Sequence, residues 1–271
     1  MHLIAMFLKE HHSSRLFLVH IDSPYHNPLN PFLSIVLPAH NEADRLPETL
    51  EKIDKFLHAQ NYTIEVVVVE NGSSDNTLEL ARDFQGCFPY LRVIHEDRRG
   101  KGLAVRRGML EAAGKYRFIC DVDLSMPVEE INRFLPPVLQ DAPIAIASRE
   151  APGAKRYGEP EYRHFVGRVF NTLVRLIALP DLQDTQCGFK CFRDDTVWLF
   201  SCQTIEGWTF DVEVLYAARK NGLPIVEVPI PWYFNPQSKV RLIRDSMQMG
   251  MDLIRIRSNS LRGRYDHCRA G

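Results

Sequence analysis

From Ser34 onward the chain alternates short apolar runs with longer amphipathic stretches. "SIVLPAH" is a compact apolar run, and between Glu42 and about Gln60 the residues Leu46, Leu50, Ile53 and Leu57 recur at helical spacing. "IEVVVVEN" is β-branched through most of its length, which predicts a strand covered on both faces, as in a parallel sheet. The pattern then predicts a helix from Asp75 to Phe84, a strand at "LRVIHE", and a helix from Gly102 to Ala113. "YRFICDVD" reads as a strand, Val128 to Leu139 as a helix and "IAIASR" as a strand. This repeated alternation predicts an α/β fold with a Rossmann-like, mostly parallel sheet flanked by helices.

The second half is less regular. A helix is expected from Tyr162 to about Leu179, with Phe165, Val169, Leu173, Leu176 and Ile177 on one face. "DTQCGFKCF" follows as loop and strand, Thr209 to Asn221 as a helix, and "LPIVEVPIPWYF" as a strand whose prolines place it near a sheet edge. Residues 1–31 end in the Pro- and Asn-rich "SPYHNPLNP" and read as an arm or linker. One domain is expected over 32–258, with a boundary between its regular and irregular halves near 150 and a tail at 259–271.

Composition narrows the function. The 271 residues are 45% hydrophobic and carry a formal charge of −1, so no global field points to nucleic acid. The six cysteines are scattered and form no C-x-x-C pair, which predicts reduced thiols and a cytoplasmic protein. The apolar run "LIAMFL" is too short to span a bilayer, so the chain is expected to be soluble or peripheral.

In open parallel sheets, ligands bind beyond the carboxyl ends of the strands. Here those ends are "PAHNE", "VENGSSDNT", "HEDRRGKG", "DVDLS" and "SRE", all polar or glycine-bearing after apolar strands. Their convergence predicts one lined cleft. "PAHNEAD" has no glycine and "RRGKG" lacks the rest of a Walker pattern, which argues against dinucleotide and P-loop chemistry. Asp121 and Asp123, two apart on an extended strand, would point the same way about 6.6 Å apart along the chain. A Mg²⁺ or Mn²⁺ ion on their hard oxygens would remove the repulsion and keep positions open for substrate phosphates. The pair also reads as a helix N-cap or turn in which Asp123 caps the following helix.

The segments "PAHNEADRLPETL", "VVENGSSDNT", "GKGLAVRRGM", "DVDLS", "DTQCGFK" and "WTFDVEVL" resemble, in this order, the family 2 glycosyltransferases of the GT-A fold. The likeness runs from about Phe32 to about Tyr265 and is strongest toward the branch that uses polyprenyl phosphates, dolichyl-phosphate glucosyltransferases in particular. His40, Asn71, Val122 and Gln237 depart from the commoner residues of that branch, and Gln237 favours a glucosyl over a mannosyl donor.

The resemblance implies a nucleotide-sugar half at 32–150 and an acceptor half at 151–258. Pro38, Ala39, Asn41, Glu42, Glu70, Gly72, Ser73, Asp75 and Val122 would then hold the nucleotide sugar with Lys101, Asp121 and Asp123. Asp75 reads equally well as a helix cap. Lys101 would meet the diphosphate, Asp123 the metal, and Asp121 either the metal or the ribose. Arg149, Arg163, Gln186, Trp208, Lys239 and Arg241 would serve the acceptor, with Asp211 as base or positioning group. Glu213 reads alternatively as a structural ion-pair partner.

The expected reaction is inverting, metal-dependent transfer of a hexose, glucose from UDP-glucose by preference, to a polyprenyl phosphate. The alternatives are a hydroxyl acceptor, a GDP-mannose donor, or a nucleotide-sugar binding protein without turnover. The C-terminal stretch sets Leu242, Met249, Leu253 and Ile256 against Arg244, Arg255 and Arg257, a basic amphipathic pattern that suits either a membrane surface or packing on the domain.

Overall fold

The computed structural model describes residues 3–9, 14–20, 30–236 and 242–266, with side chains described over 30–236 and 246–266. Within the segment read as a linker, β1 (Leu3–Lys9) and β2 (Ser14–His20) pair as an antiparallel hairpin in a sheet of their own. The Pro and Asn cluster from which the linker was read held no information about the stretches ahead of it.

The main sheet takes seven strands: β3 (Leu33–Ala39), β4 (Ile64–Asn71), β5 (Leu91–Glu96), β6 (Tyr116–Ile119), β7 (Ile144–Ser148), β9 (Lys190–Arg193) and β10 (Ile225–Pro229). Their spatial order is β10-β7-β9-β6-β3-β4-β5. Every pairing is parallel except those of β9, which enters antiparallel between β6 and β7. The proline-bearing strand β10 is at an edge, where missing donors do least harm. A small second sheet pairs β8 (Lys155–Tyr157) with β11 (Pro231–Tyr233).

All eight residues of β4 are buried, as its β-branched run requires. Ile35, Leu37, Val66 and Val68 pack on one face against Leu46, Leu50 and Ile53 of helix α1 (Leu46–His58) and Phe84 of α2 (Thr77–Cys87). Val36, Val67 and Val69 pack on the other against Ala104, Val105 and Met109 of α3 (Lys101–Glu111). Full burial of each such side chain contributes about 1.5–3 kcal/mol, which makes this sheet a rigid platform for the loops at its carboxyl edge.

The remaining helices are α4 (Glu161–Ile177), α5 (Phe210–Lys220) and α6 (Leu242–Leu261). Val128–Phe134, expected to be α-helical, forms 3-10 turns, and Pro127, Pro136 and Pro137 around it deny a longer helix its hydrogen bonds. The expected apolar face of α4 exists, but Phe165, Val169, Leu173 and Leu176 are exposed while Phe170, Asn171 and Val174 are buried. Among the described residues, no helix is long and apolar enough to cross a membrane. Cys87, Cys120, Cys187 and Cys191 are free, whereas Cys202 is disulfide-bonded, against the expectation of reduced thiols throughout. Spacing along a chain does not reveal which sulfurs the fold brings within bridging distance. Cys268 lies outside the described residues.

Candidate active site

The five polar strand ends gather at one edge of the sheet. The loops after β3 and β4 are knitted together: Ser73 Oγ accepts from Asn41 N at 3.0 Å, and Asn41 Oδ1 accepts from Ser74 N at 2.8 Å. Gly72 turns the second loop with φ +63°, a conformation open to glycine, and a Cβ there would meet Asp97 O at 3.1 Å. Both oxygens of Glu70 are engaged, one by Ser73 N at 2.6 Å and one by His95 Nδ1 at 2.5 Å. Glu42 is bidentate to Arg45, and Asp75 accepts from Thr77 N and Ala43 N. These carboxylates therefore fix the loops that carry the residues expected on the nucleotide side. Pro38 and Ala39 close β3 beside them, and Val122 is buried with its carbonyl taken by Thr49 Oγ1.

Strand β6 stops at Ile119, so the strand pleat does not bring Asp121 and Asp123 together as expected. A turn does: Leu124 N donates to Asp121 O at 3.2 Å, and Leu124 adopts φ +43°. Asp121 Oδ1 is 2.7 Å from Lys101 Nζ, at the first residue of α3. Burial pulls the Lys101 pKa down, but Asp121 outweighs it and leaves the ammonium shifted upward, firmly charged. Asp123 is bound through Oδ1 to Ser125 N at 3.1 Å. Burial first, and then Asp121, push its pKa up, so its charge is the less compensated of the two.

Lys101, Asp121, Asp123 and Ser125 line one cavity with Arg149, Arg163, Gln186, Trp208 and Asp211. That cavity unites the expected diphosphate end with the expected acceptor end. Lys239 and Arg241 lie outside the described residues. Lys101 Nζ sits 5.1 Å from the centre of the Trp208 ring, so the tryptophan flanks the charged end. Arg163 lies over Phe234 at 5.2 Å, and no carboxylate pairs with it among the described residues.

Arg149 is held differently. Asp184, fully buried, takes its guanidinium at 2.7 and 2.9 Å and its backbone N–H at 3.0 Å. The ring of Trp232 covers the same guanidinium at 5.4 Å. Though burial alone would raise the Asp184 pKa, Arg149 holds it well below the usual carboxylate range.

Two further residues complete the site that the sequence did not single out. Lys190 is buried between Cys187 O, to which it donates, and Asp211 Oδ2 at 3.3 Å. Burial raises the Asp211 pKa, and Lys190 opposes that shift. Gly188 leaves room for Asp121, since a Cβ at Gly188 would fall 1.8 Å from Asp121 Oδ2. The signal for both was the "DTQCGFK" motif, where a lysine interrupts an otherwise apolar strand start. Glu213, two residues from Asp211, faces away from the cavity and accepts from Thr204 N, Ile205 N and Tyr265 OH. Among the described residues it holds these partners through hydrogen bonds, with no ion pair.

Comparison with known proteins gives a consistent result. Residues 34–198 match the model of the family described as Glycosyl transferase family 2. The dolichyl-phosphate beta-glucosyltransferase of Drosophila melanogaster is 36% identical over 244 residues, covering 83% of this chain and 74% of the fly protein. The protein of that name from Dictyostelium discoideum is 32% identical over 253 residues, covering 88% and 77%. Glucosyl-3-phosphoglycerate synthase from Mycobacterium tuberculosis, solved with uridine diphosphate, superposes with a TM-score of 0.60 at 20% identity, over 87% of this chain and 80% of that one. The same enzyme has been solved with Mn²⁺, UDP-glucose and phosphoglyceric acid, with a TM-score of 0.59 at 18% identity over 87% and 80%. The architecture, a mostly parallel sheet with the antiparallel β9 inserted, is the GT-A fold. On the family match and the identity to these relatives, the chain is a member of glycosyl transferase family 2.

Proposed function

We propose that the protein transfers glucose from UDP-glucose to a polyprenyl phosphate with inversion at the anomeric carbon, the 32–150 half holding the donor and the 151–258 half the acceptor. The observation that carries this reading is the single cavity with a Lys101–Asp121–Asp123 cluster on one side and Arg149 and Arg163 on the other. The relatives named above act on dolichyl phosphate by name, which supports a phosphate acceptor.

A divalent cation fits the acidic side. Asp123 is half-buried, raised in pKa by that burial first and by Asp121 second, and with Asp121 it offers hard oxygen ligands of the kind Mg²⁺ and Mn²⁺ take. Asp121 and Asp123 would hold the ion, and when bound it would help neutralise the departing diphosphate.

The chain's own residues do the rest. Lys101 supplies a fixed positive charge where the diphosphate leaves, at the start of α3 where the backbone N–H groups also favour an anion. Arg163, which no carboxylate pairs among the described residues, offers its guanidinium to the acceptor phosphate. Arg149 is locked in orientation by Asp184 and Trp232. A phosphate monoester has its second pKa near 6, so it arrives as an anion and needs no strong base. Asp211, tied to Lys190, would position it. Val166, Phe170 and Phe234 line the cavity and keep water from the sugar.

The test is transfer of label from UDP-[¹⁴C]glucose into an organic-phase lipid in the presence of polyprenyl phosphate and Mn²⁺. Incorporation with a β-configured product supports the reading. Label passing only to hydroxyl acceptors such as phosphoglycerate would replace it with the hydroxyl alternative.

A further inference from the structure

Residues 203–209 run from the end of a 3-10 segment (Asp194–Cys202) to the start of α5 and carry Trp208 to the cavity. On one side they clasp the first turn of α3. Gln203, 4% exposed, donates through Nε2 to Gly102 O at 2.7 Å and to Ile205 O at 2.8 Å. Leu103 N donates to Glu206 O at 3.2 Å. The backbones touch here, since a Cβ at Gly100 would fall 2.6 Å from Glu206 O and one at Gly102 2.6 Å from Ile205 O. Lys101 stands between these two glycines, so the clasp fixes its main chain from both neighbours.

The other side of the same segment is tied to α5 and α6. Glu213 of α5 accepts from Thr204 N, Thr204 Oγ1 and Ile205 N, and Asn259 of α6 donates to Thr204 Oγ1 at 3.2 Å. Thr209 Oγ1 donates to Asp252 of α6 at 3.0 Å. The segment therefore sets α3 against both later helices, and the Lys101 ammonium emerges between Asp121 Oδ1 and the ring of Trp208.

Both groups facing the Gln203 nitrogen are carbonyl oxygens, so the position calls for a side-chain atom with two N–H donors, and an amide nitrogen supplies them. Its Oε1 is buried, and nothing among the described residues donates to it. An amide left unsatisfied at one end gives up stability. An apolar side chain of similar size would fill the space without that loss, but it would remove this tie between α3 and the segment that carries Trp208.

We infer that Gln203 is a positioning residue for Lys101: it holds the first turn of α3 so that the ammonium meets the diphosphate, and it links that placement to α5 and α6. The inference rests on the reading of Lys101 as the group beside the leaving diphosphate.

The experiment is a double-mutant cycle of Gln203→Met and Lys101→Met in the full chain, with melting curves setting a temperature at which all the proteins are folded. Gln203→Met keeps the volume and removes both donors. It should lower kcat for transfer from UDP-glucose about tenfold to a hundredfold, as a misplaced catalytic group does. In the Lys101→Met background it should cost less than about twofold more. Gln203→His keeps one ring N–H toward the carbonyls, should fall between parent and Gln203→Met, and carries the cycle if Gln203→Met does not fold. Arg98→Ala removes only the exposed ion pair to Glu206 on the outside of the segment and should stay within about twofold. Additive losses, or a lower melting temperature with kcat unchanged, overturn the inference and leave Gln203 a packing residue. A parent that transfers no glucose to polyprenyl phosphate removes the acceptor reading. The cycle is then read by titration calorimetry on UDP affinity in Mn²⁺, where non-additivity supports the inference and additivity overturns it. A parent that binds no UDP removes it together with the diphosphate role of Lys101.

Discussion

Lys101 Nζ lies 2.7 Å from Asp121 Oδ1, so one member of the acidic pair is already compensated from within the chain. In the proposed reaction the lysine would therefore belong to the cluster that meets the leaving group. Lys101→Met keeps the stem that packs by Trp208 and removes the charge. We expect kcat to fall about 10²- to 10³-fold, the usual size of losing one group aimed at developing negative charge. Initial rates against UDP-glucose concentration measure it. A fall confined to KM would make Lys101 a ground-state contact only.

Gly188 makes the Lys101–Asp121 geometry possible. Gly188→Ala puts a methyl into the Asp121 carboxylate, at 1.8 Å, so the acid must rotate away. Overpacking of this kind costs about 1–3 kcal/mol of stability, and turnover should collapse with it. Gly86→Ala in α2 is the control, since nothing lies within 4 Å of a Cβ there. In a helix that change gains about 0.5–1 kcal/mol. Thermal melts and activity of the two variants give opposite signs if the cradle is as described.

Much of this site was legible before the structure. Apolar strands ending in polar loops predicted the cleft, and Lys101, Asp121, Asp123, Arg149, Arg163, Gln186, Trp208 and Asp211 do line one cavity. What the pattern could not carry was pairing across the chain. Lys190 reads as an interruption of a strand until Asp211, 21 residues on, is placed beside it. Asp184 reads as loop until Arg149, 35 residues earlier, closes on it. The turn at Asp121 was only the alternative to a strand for a related reason: Leu124 adopts a positive φ that its residue type does not advertise.

Asp211→Asn distinguishes phosphate from hydroxyl acceptors. General-base catalysis contributes about 10²- to 10⁴-fold, so a hydroxyl acceptor would lose that much. For an acceptor phosphate, already ionised, we expect less than about tenfold loss of kcat. The variant keeps an oxygen for Lys190 but not its counter-charge, so a lower melting temperature is also expected. Rates must be measured well below that temperature.

The Arg149–Asp184 pair sets a pH dependence whose sign follows from its direction. Asp184 has a folded-state pKa held below its unfolded value, so its contribution to stability is fully present above about pH 4 and declines as pH falls toward the folded value. Asp184→Asn leaves the half-buried Arg149 without its anion, and the loss near neutral pH should reach at most about 3–5 kcal/mol, the cost for a fully buried pair. The gap between parent and variant should then shrink on acidification below about pH 4, because the unfolded parent takes up the proton first. Denaturant titrations from pH 7 to pH 3 follow the gap directly. A gap that stays constant or widens over that range would mean that Asp184 acts through its shape and hydrogen bonds, and that the charge on Arg149 is neutralised by something else in the acceptor end of the cavity.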